Sequence, residues 1–171
     1  MMEETINGKS VKIKKPNRVS HTYKQTIKGS IEQIFPLYCP VKELLWTESW
    51  NPEIVYSNSG VVEQNAIFTS RDGNRKAIWY VTTYDIENGH VEMIKIMPDY
   101  SVSKLEITVE PSKESTTSVF ITYTITSLNE EGDIIFKGFT KENFDISMQA
   151  WEKAMNHYLK TGELLSGLPE F

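Results

Sequence analysis

Apolar and polar residues alternate along several segments of the chain, which is the pattern of half-buried β-strands. The first alternating segment runs from Val19 to Lys28 and is followed by Gly29-Ser30. Turn-forming residues bound the later segments, which are Glu53 to Asn58, Ala66 to Ser70, Lys76 to Asp85, His90 to Met97, Val102 to Glu110 and Thr116 to Ser127. Because the connections between these later segments are short, the pattern predicts an antiparallel meander of about seven strands in total.

A helical period replaces the alternation near the end of the chain. Large apolar side chains recur there at spacings of four and three: Phe144, Met148, Trp151, Met155 and Tyr158. This spacing predicts one amphipathic helix between Thr140, a candidate N-cap, and Gly162, a candidate C-cap.

Two short helices are predicted after the first strand. Ser30 and Gln33 fit a capping box that opens the first helix, and Pro36 limits it on the far side. Pro40 suits the first turn of a second helix, from Val41 to about Trp46. The predicted fold class is therefore α+β, with a curved antiparallel sheet, two short helices and one long C-terminal helix.

The chain has 171 residues, a length that suits one domain. We expect a flexible basic N-terminal arm at residues 1–18, the domain at 19–162 and a C-terminal tail at 163–171. The cations of the arm are Lys9, Lys12, Lys14, Lys15 and Arg18. A solvated, partly disordered arm is the simple interpretation, and an electrostatic contact with nucleic acid or an acidic partner is the alternative.

Charge and cysteine content narrow the class of protein. The net charge of −5 gives no indication of a nucleic-acid partner. Cys39 is the only cysteine, so no intrachain disulfide can form, as is usual in a reducing compartment. The sequence shows no signal peptide and no apolar run long enough to span a membrane. We expect a cytoplasmic protein that is a monomer or a homodimer.

The order of strand, two short helices, six strands and a long helix resembles the helix-grip fold of the START-like, or SRPBCC, superfamily. This group includes the birch pollen allergen type, polyketide cyclases and Hsp90-activator homologues. Two stretches add to the likeness: IKGSIEQIFPLYCPVKE at residues 27–43, and residues 140–162, which look like the gripping helix. The resemblance covers residues 19–162. It implies a cavity between the sheet and the long helix, which relatives use for lipids, hormones, polyketides and other apolar molecules.

Aromatic and apolar residues of the predicted strands and helices are the candidates for lining such a cavity. Tryptophan and tyrosine often line apolar pockets that orient a ligand, and methionine adapts to irregular shapes. An ordinary packed core is the alternative for these side chains. The candidate ligand-binding residues are Trp46, Phe68, Trp79, Ile121, Tyr123, Met148, Trp151 and Met155.

Glu43 is the candidate for acid–base chemistry. Cys39, Glu43, Trp46 and Trp50 follow one another at spacings of four, three and four. If the second short helix continues far enough, Glu43 lies beside both tryptophans, and contact with apolar surface raises its pKa. In the alternative, Glu43 lies in the first turn and interacts with the helix dipole. We expect this plainer outcome, with a pKa at or below the reference of about 4.3.

Three functions remain open. The first is binding of a small apolar molecule, such as a lipid, a polyketide or an aromatic compound. The second is a cyclase- or hydrolase-like enzyme that uses Glu43 as acid or base, and the third is an Hsp90-activator-like interaction module. No cofactor and no metal site are expected, because no nucleotide-binding motif occurs and His21, His90 and His157 lie on separate elements.

Overall fold

Nine strands form two antiparallel sheets in the computed structural model, which describes residues 2–13, 17–113 and 115–168. The strands are β1 (Met2–Ile6), β2 (Lys9–Ile13), β3 (Arg18–Lys28), β4 (Glu53–Tyr56), β5 (Ile67–Asp72), β6 (Arg75–Asp85), β7 (His90–Met97), β8 (Ser101–Pro111) and β9 (Thr116–Ser127). The main sheet has the order β3-β9-β8-β7-β6-β5-β4. The predicted seven-stranded meander is therefore confirmed, and β3 joins it by pairing with β9.

The helices divide into short connecting pieces and one long element. The α-helices are α1 (Ile31–Ile34), α2 (Glu130–Ile135) and α3 (Lys141–Thr161). The 3-10 helices are Phe35–Tyr38, which continues α1, Lys42–Leu45, and Phe136–Gly138, which follows α2. The α+β fold with a long C-terminal helix matches the prediction, whereas α2 was missed because Gly132 was interpreted as a turn residue. Asn129 caps α2 by accepting a hydrogen bond from Gly132 N at 2.9 Å.

The caps of α3 are those that the sequence predicts. Thr140 Oγ1 accepts a hydrogen bond from Asn143 N at 3.2 Å. At the other end, Gly162 has a φ of 75° and donates its N–H to Tyr158 O at 2.7 Å. A residue with a Cβ is strained in this left-handed conformation, so glycine ends the helix there.

The inner face of the main sheet, which α3 packs against, carries the core. On β9, Val119 and Ile121 are fully buried, while Thr122 and Thr124 occupy the outer face and are part-exposed. This alternation agrees with the predicted inward set of β9.

The long helix also covers the free edge of β3. The side-chain amide of Asn156 accepts a hydrogen bond from Lys28 N at 2.9 Å and donates one to Thr26 O at 3.1 Å. One side chain of α3 thus satisfies two backbone groups that a neighbouring strand would otherwise pair.

A hairpin that the sequence analysis did not anticipate precedes the main sheet. Strands β1 and β2 pair with Ile6 opposite Lys9, so Asn7 and Gly8 form a two-residue loop. Both loop residues have positive φ, 51° and 76°, as a type I′ turn requires. Lys14 and Lys15 of the basic cluster lie outside the described residues, and the division into arm, domain and tail remains a prediction.

The same dipeptide does not form the predicted two-residue turn between β6 and β7. The connection there is four residues long, 86–89, and Gly89 has positive φ whereas Asn88 does not. Asp85 explains the difference, because its carboxylate accepts hydrogen bonds from Asn88 N at 3.0 Å and from Asn88 Nδ2 at 2.7 Å. This side-chain capping stabilises a longer turn.

Candidate ligand cavity

A cavity of about 610 Å³ lies between α3, the inner face of the sheet and the segment around the 3-10 helix Lys42–Leu45. This volume falls in the range of small-molecule sites in proteins. Six of the eight candidate ligand-binding residues line it: Trp46, Phe68, Trp79, Tyr123, Met148 and Trp151. Their role in binding remains a prediction, but the structure does bring them together around one space.

Ile121 and Met155 do not line this cavity. Both are fully buried in the continuous hydrophobic core. Periodicity correctly assigns them to the inward faces of β9 and α3, but it does not reveal whether the space opposite a residue is filled or open. Ile121 and Met155 are therefore core residues and not part of the cavity wall.

Aromatic rings form two groups on the cavity wall. Trp46 and Trp151 meet edge to face, with centroids 5.4 Å apart and planes at 80°. Phe68 and Trp79 stack at 5.4 Å with planes at 11°, and Trp50 lies edge-on to both of them. Such geometries are favourable for aromatic pairs, so the rings of the wall stabilise one another.

The polar tips of three wall tryptophans are already bonded to the protein. Trp46 Nε1 donates to Leu37 O at 2.9 Å, and Trp50 Nε1 donates to Pro40 O at 2.7 Å. Trp79 Nε1 donates to Ser70 Oγ at 2.9 Å. Because these indole N–H groups have partners, the ring surfaces facing the cavity offer a ligand mainly apolar contact.

Glu43 lies in this wall and is 7% exposed. Burial raises the pKa of its carboxyl to about 8. Within the ranges the structure describes, no group donates a hydrogen bond to this carboxyl and no cation pairs with it. The expectation of a helix-dipole role with a pKa at or below the reference is therefore wrong. The physical reason is tertiary, since Glu43 is the one residue of this 3-10 turn that is buried in the domain, whereas Lys42, Leu44 and Leu45 are exposed.

The second short helix is also shorter than the spacing argument requires. It ends at Leu45, so Glu43, Trp46 and Trp50 do not share one helical face. They nevertheless all line the cavity, because the loop after Leu45 brings Trp50 back against Phe68 and Trp79.

The charge of Glu43 acts on two tyrosines, the buried Tyr38 and the part-buried Tyr123. The pKa of Tyr123 is raised well above its usual range, first by burial and then by the Glu43 carboxylate. The pKa of Tyr38 is raised for the same reasons, in the same order. Tyr123 also lines the cavity, so an uncharged phenol and a weakly acidic carboxyl are both available to a bound molecule.

Lys95 is a cavity residue that the sequence analysis missed. It lies on the inward face of β7 between Met93 and Met97, both of which are buried. Its Nζ is 5.2 Å from the ring centroid of Trp79. Burial lowers the pKa of Lys95, and the charge of Asp72 partly opposes this effect. The alternation of β7 is the sequence signal that could have found it, because a lysine occupies an apolar position.

Polar residues and the segment after α3 surround the mouth. Arg71, Asp72 and Arg75 line it, and the last two form an ion pair at 3.9 Å. Leu165 and Leu168 line the cavity from the segment after α3. Gly167 N donates a hydrogen bond to Glu48 Oε2 at 3.1 Å, which holds that segment near the opening.

Neither a metal-binding cluster nor a membrane-spanning helix is found among the described residues. In residues 2–13, 17–113 and 115–168, no three His, Cys, Asp or Glu side chains are grouped as a metal ion would require. Across the same part of the chain, no helix has the length and apolar character needed to cross a membrane.

Comparison of folds gives many matches among solved structures. Truncated norcoclaurine synthase from Thalictrum flavum matches with a TM-score of 0.65 at 12% identity, over 88% of this chain and 98% of that one. The same protein in complex with dopamine and hydroxybenzaldehyde matches with a TM-score of 0.62 at 12% identity, over 85% and 88%. Ara h 8.0201 matches with a TM-score of 0.57 at 14% identity, over 85% and 99%.

The sequence itself matches no family model and no curated protein. At identities this low, the structural matches show the fold and leave activity open. They agree with the seven-stranded antiparallel sheet and the long C-terminal helix described above. This chain therefore has the helix-grip α+β fold, which its order of elements predicted.

Proposed function

We propose that this chain binds a small, largely apolar molecule in the cavity between α3 and the sheet. The observation that carries the proposal is the open volume of about 610 Å³ bounded by ordered aromatic rings. Close packing is the rule in protein interiors, so an opening of this size at the centre of a domain is typical of a binding site.

The walls favour a ligand with an aromatic or other flat apolar body. Rings of the ligand can contact Trp50 and Trp151, the part-exposed tryptophans of the lining. Trp46 and Trp79 are almost fully buried and support the wall. Norcoclaurine synthase, which has the same fold, has been solved with two small aromatic molecules, dopamine and hydroxybenzaldehyde. That complex supports the aromatic class, although a shared fold by itself does not transfer an activity.

Binding of the neutral dye Nile red tests this proposal. We expect saturable binding that enhances dye fluorescence and changes tryptophan emission. Ala150 lines the cavity and is 7% exposed, so Ala150→Phe should fill part of the space and weaken binding. Lys153→Phe places the same ring on the exposed side of α3 and should leave binding unchanged. Absence of saturable binding to the unsubstituted protein, across Nile red and a panel of apolar probes, would overturn the proposal.

Proton transfer by Glu43 is a second candidate function, supported by its burial and its pKa of about 8. At neutral pH the carboxyl is mostly protonated and can donate a proton to a bound molecule, as a general acid must. Mass spectrometry of small molecules that co-purify with the protein should first identify a ligand. If that ligand is converted, Glu43→Gln should abolish turnover while affinity stays within about threefold. Retained turnover in this variant would reject the catalytic role.

The interaction-module alternative predicts a filled core rather than a cavity. The open space beside Trp46 and Trp151 therefore favours small-molecule binding over that alternative.

A further inference from the structure

The strand register places Lys95 in the middle of the inner face of the sheet. It lies opposite Trp79 on β6 and opposite Ser103 on β8. Ser103 is 3% exposed and Trp79 is 4% exposed, so the lysine stem emerges between two buried neighbours. Its amine therefore belongs to the cavity wall rather than to the outer surface.

This amine has little within the protein to replace its lost hydration. No described carboxylate lies within ion-pair distance of Nζ, and no described oxygen accepts a hydrogen bond from it. The Trp79 ring at 5.2 Å favours a positive charge, but it does not replace a hydrogen-bonded anion. Lys95 is part-buried, so its ammonium loses some hydration without gaining a paired anion, and a ligand can supply what is missing.

The charged residues around the mouth also favour an anionic ligand. Three cations line the cavity: Arg71, Arg75 and Lys95. Two acids, Asp72 and Glu48, line it as well, and the third, Glu43, is mostly protonated at neutral pH. Asp72 pairs with Arg75 at 3.9 Å and affects Lys95 only through its longer-range charge. This side of the cavity therefore has a surplus of positive charge, which attracts an anion.

We propose that the ligand of this cavity is an apolar carboxylic acid, bound as its anion with the carboxylate against Lys95 Nζ. This inference rests on the proposed function and names the class of molecule that the same cavity takes. The apolar body of the acid lies against the aromatic walls, and its carboxylate accepts hydrogen bonds from the ammonium. Such a charge-assisted contact restores the interactions that the lysine lost on burial.

Glu43 is not the missing partner of Lys95. It belongs to a different element, the 3-10 helix Lys42–Leu45, and its carboxyl forms no ion pair with any described cation. The protonated carboxyl of Glu43 also does not repel an anionic ligand at slightly acidic pH. Glu43 and Lys95 are therefore compatible with one carboxylate ligand in the same cavity.

A matched pair of probes tests the inference. 2-Naphthoate and 2-naphthamide have the same ring system and differ in the charged group. Calorimetry or displacement of Nile red at pH 6.5 should show that the carboxylate binds at least about tenfold tighter, as expected when a buried charge gains a partner. In Lys95→Met this preference should disappear. Lys76→Met removes an exposed lysine from the neighbouring β6 and should preserve the preference.

The outcomes separate this inference from the proposed function. If Nile red binds but naphthamide binds as well as naphthoate, the acid inference is wrong and small-molecule binding stands. The same holds if Lys95→Met retains the preference for the carboxylate. If neither Nile red nor any apolar probe binds, the cavity proposal fails and the acid inference fails with it. Lys95 could instead form a Schiff base with an aldehyde, which borohydride would reduce to a stable adduct. Such an adduct, without a preference for carboxylates in binding, would make Lys95 a nucleophile and overturn the inference.

Discussion

The hydroxyl of Tyr38 donates a hydrogen bond of 2.6 Å to the side-chain carbonyl of Gln25, and both side chains are almost fully buried. The amide nitrogen of Gln25 in turn donates to Met148 O at 2.8 Å. This chain of two bonds connects the 3-10 helix Phe35–Tyr38, strand β3 and the middle of α3. It fixes the height of the long helix above the sheet beside the cavity.

Tyr38→Phe should destabilise the protein, because it leaves the carbonyl of Gln25 buried without a donor. The expected loss is roughly 1–3 kcal/mol in the free energy of unfolding. Tyr80→Phe is the matched control, since the Tyr80 hydroxyl donates to Asn65 Oδ1 at 2.8 Å on the exposed surface. Urea denaturation should show a change below about 0.5 kcal/mol for the control. Equal losses in the two variants would contradict the buried bridge.

Glu43→Gln should change how stability depends on pH. The folded pKa of Glu43, about 8, lies above the ordinary glutamate pKa of 4.5, so folding takes up a proton between these pH values. Stability of the unsubstituted protein should therefore fall as pH rises from about 5 to 8, by at most about 1.4 kcal/mol per pH unit from this group. The variant lacks this contribution, and its relative stability should increase with pH.

Chemical denaturation at pH 5, 6.5, 8 and 9 measures this difference. Glu87→Gln, in the exposed turn before β7, should follow the unsubstituted protein at every pH. A constant difference between Glu43→Gln and the unsubstituted protein would show that the Glu43 carboxyl is not desolvated.

Met155→Ala and Trp151→Ala should separate the packed part of α3 from the part that faces the cavity. Met155 is completely buried, so its truncation should cost roughly 2–5 kcal/mol and leave probe binding intact. Trp151 is half-buried and lines the cavity, so the stability loss should be smaller than for a fully buried tryptophan, roughly 0.5–3 kcal/mol. Nile red affinity should change in Trp151→Ala. Unchanged affinity there would contradict its place in the ligand site.

Gly132→Ala should be strongly destabilising. A Cβ at this position would lie 2.2 Å from Tyr100 O, so backbone must move to admit it. The loss should exceed about 2 kcal/mol, although alanine is the better helix former. Gly138→Ala is the control, because a Cβ there meets no atom within 4 Å, and thermal unfolding should show little change.

The sequence predicted what local periodicity controls. Strands β7 and β9 have the predicted bounds, and α3 begins and ends at its predicted caps. Turn chemistry was less informative, since the Asn-Gly pair at residues 7–8 forms a two-residue loop and the pair at 88–89 does not. The carboxylate of Asp85 makes the difference, and a dipeptide rule does not include that neighbour.

Part of the site was predictable because periodicity also determines which residues of a strand face inward. Period-two alternation places Trp79 and Tyr123 on the inner face, but it cannot distinguish the open space near them from the filled space near Ile121. The burial of Glu43 depends on contacts from distant elements, so its local sequence suggested a helix-dipole role. The sequence signal for Lys95 was its inward position in the alternation of β7, where the other inward residues are apolar.

The contact of Asn156 with the edge of β3 has a consequence for association between molecules. Exposed sheet edges recruit strands from other chains and lead to aggregation. By bonding to Thr26 O and Lys28 N, one amide occupies the place of an incoming strand. A second chain that extended the sheet at this point would first have to displace α3. At the opposite edge, β4 is only four residues long and has an irregular register between Ile54 and Tyr56, which shortens the template it offers.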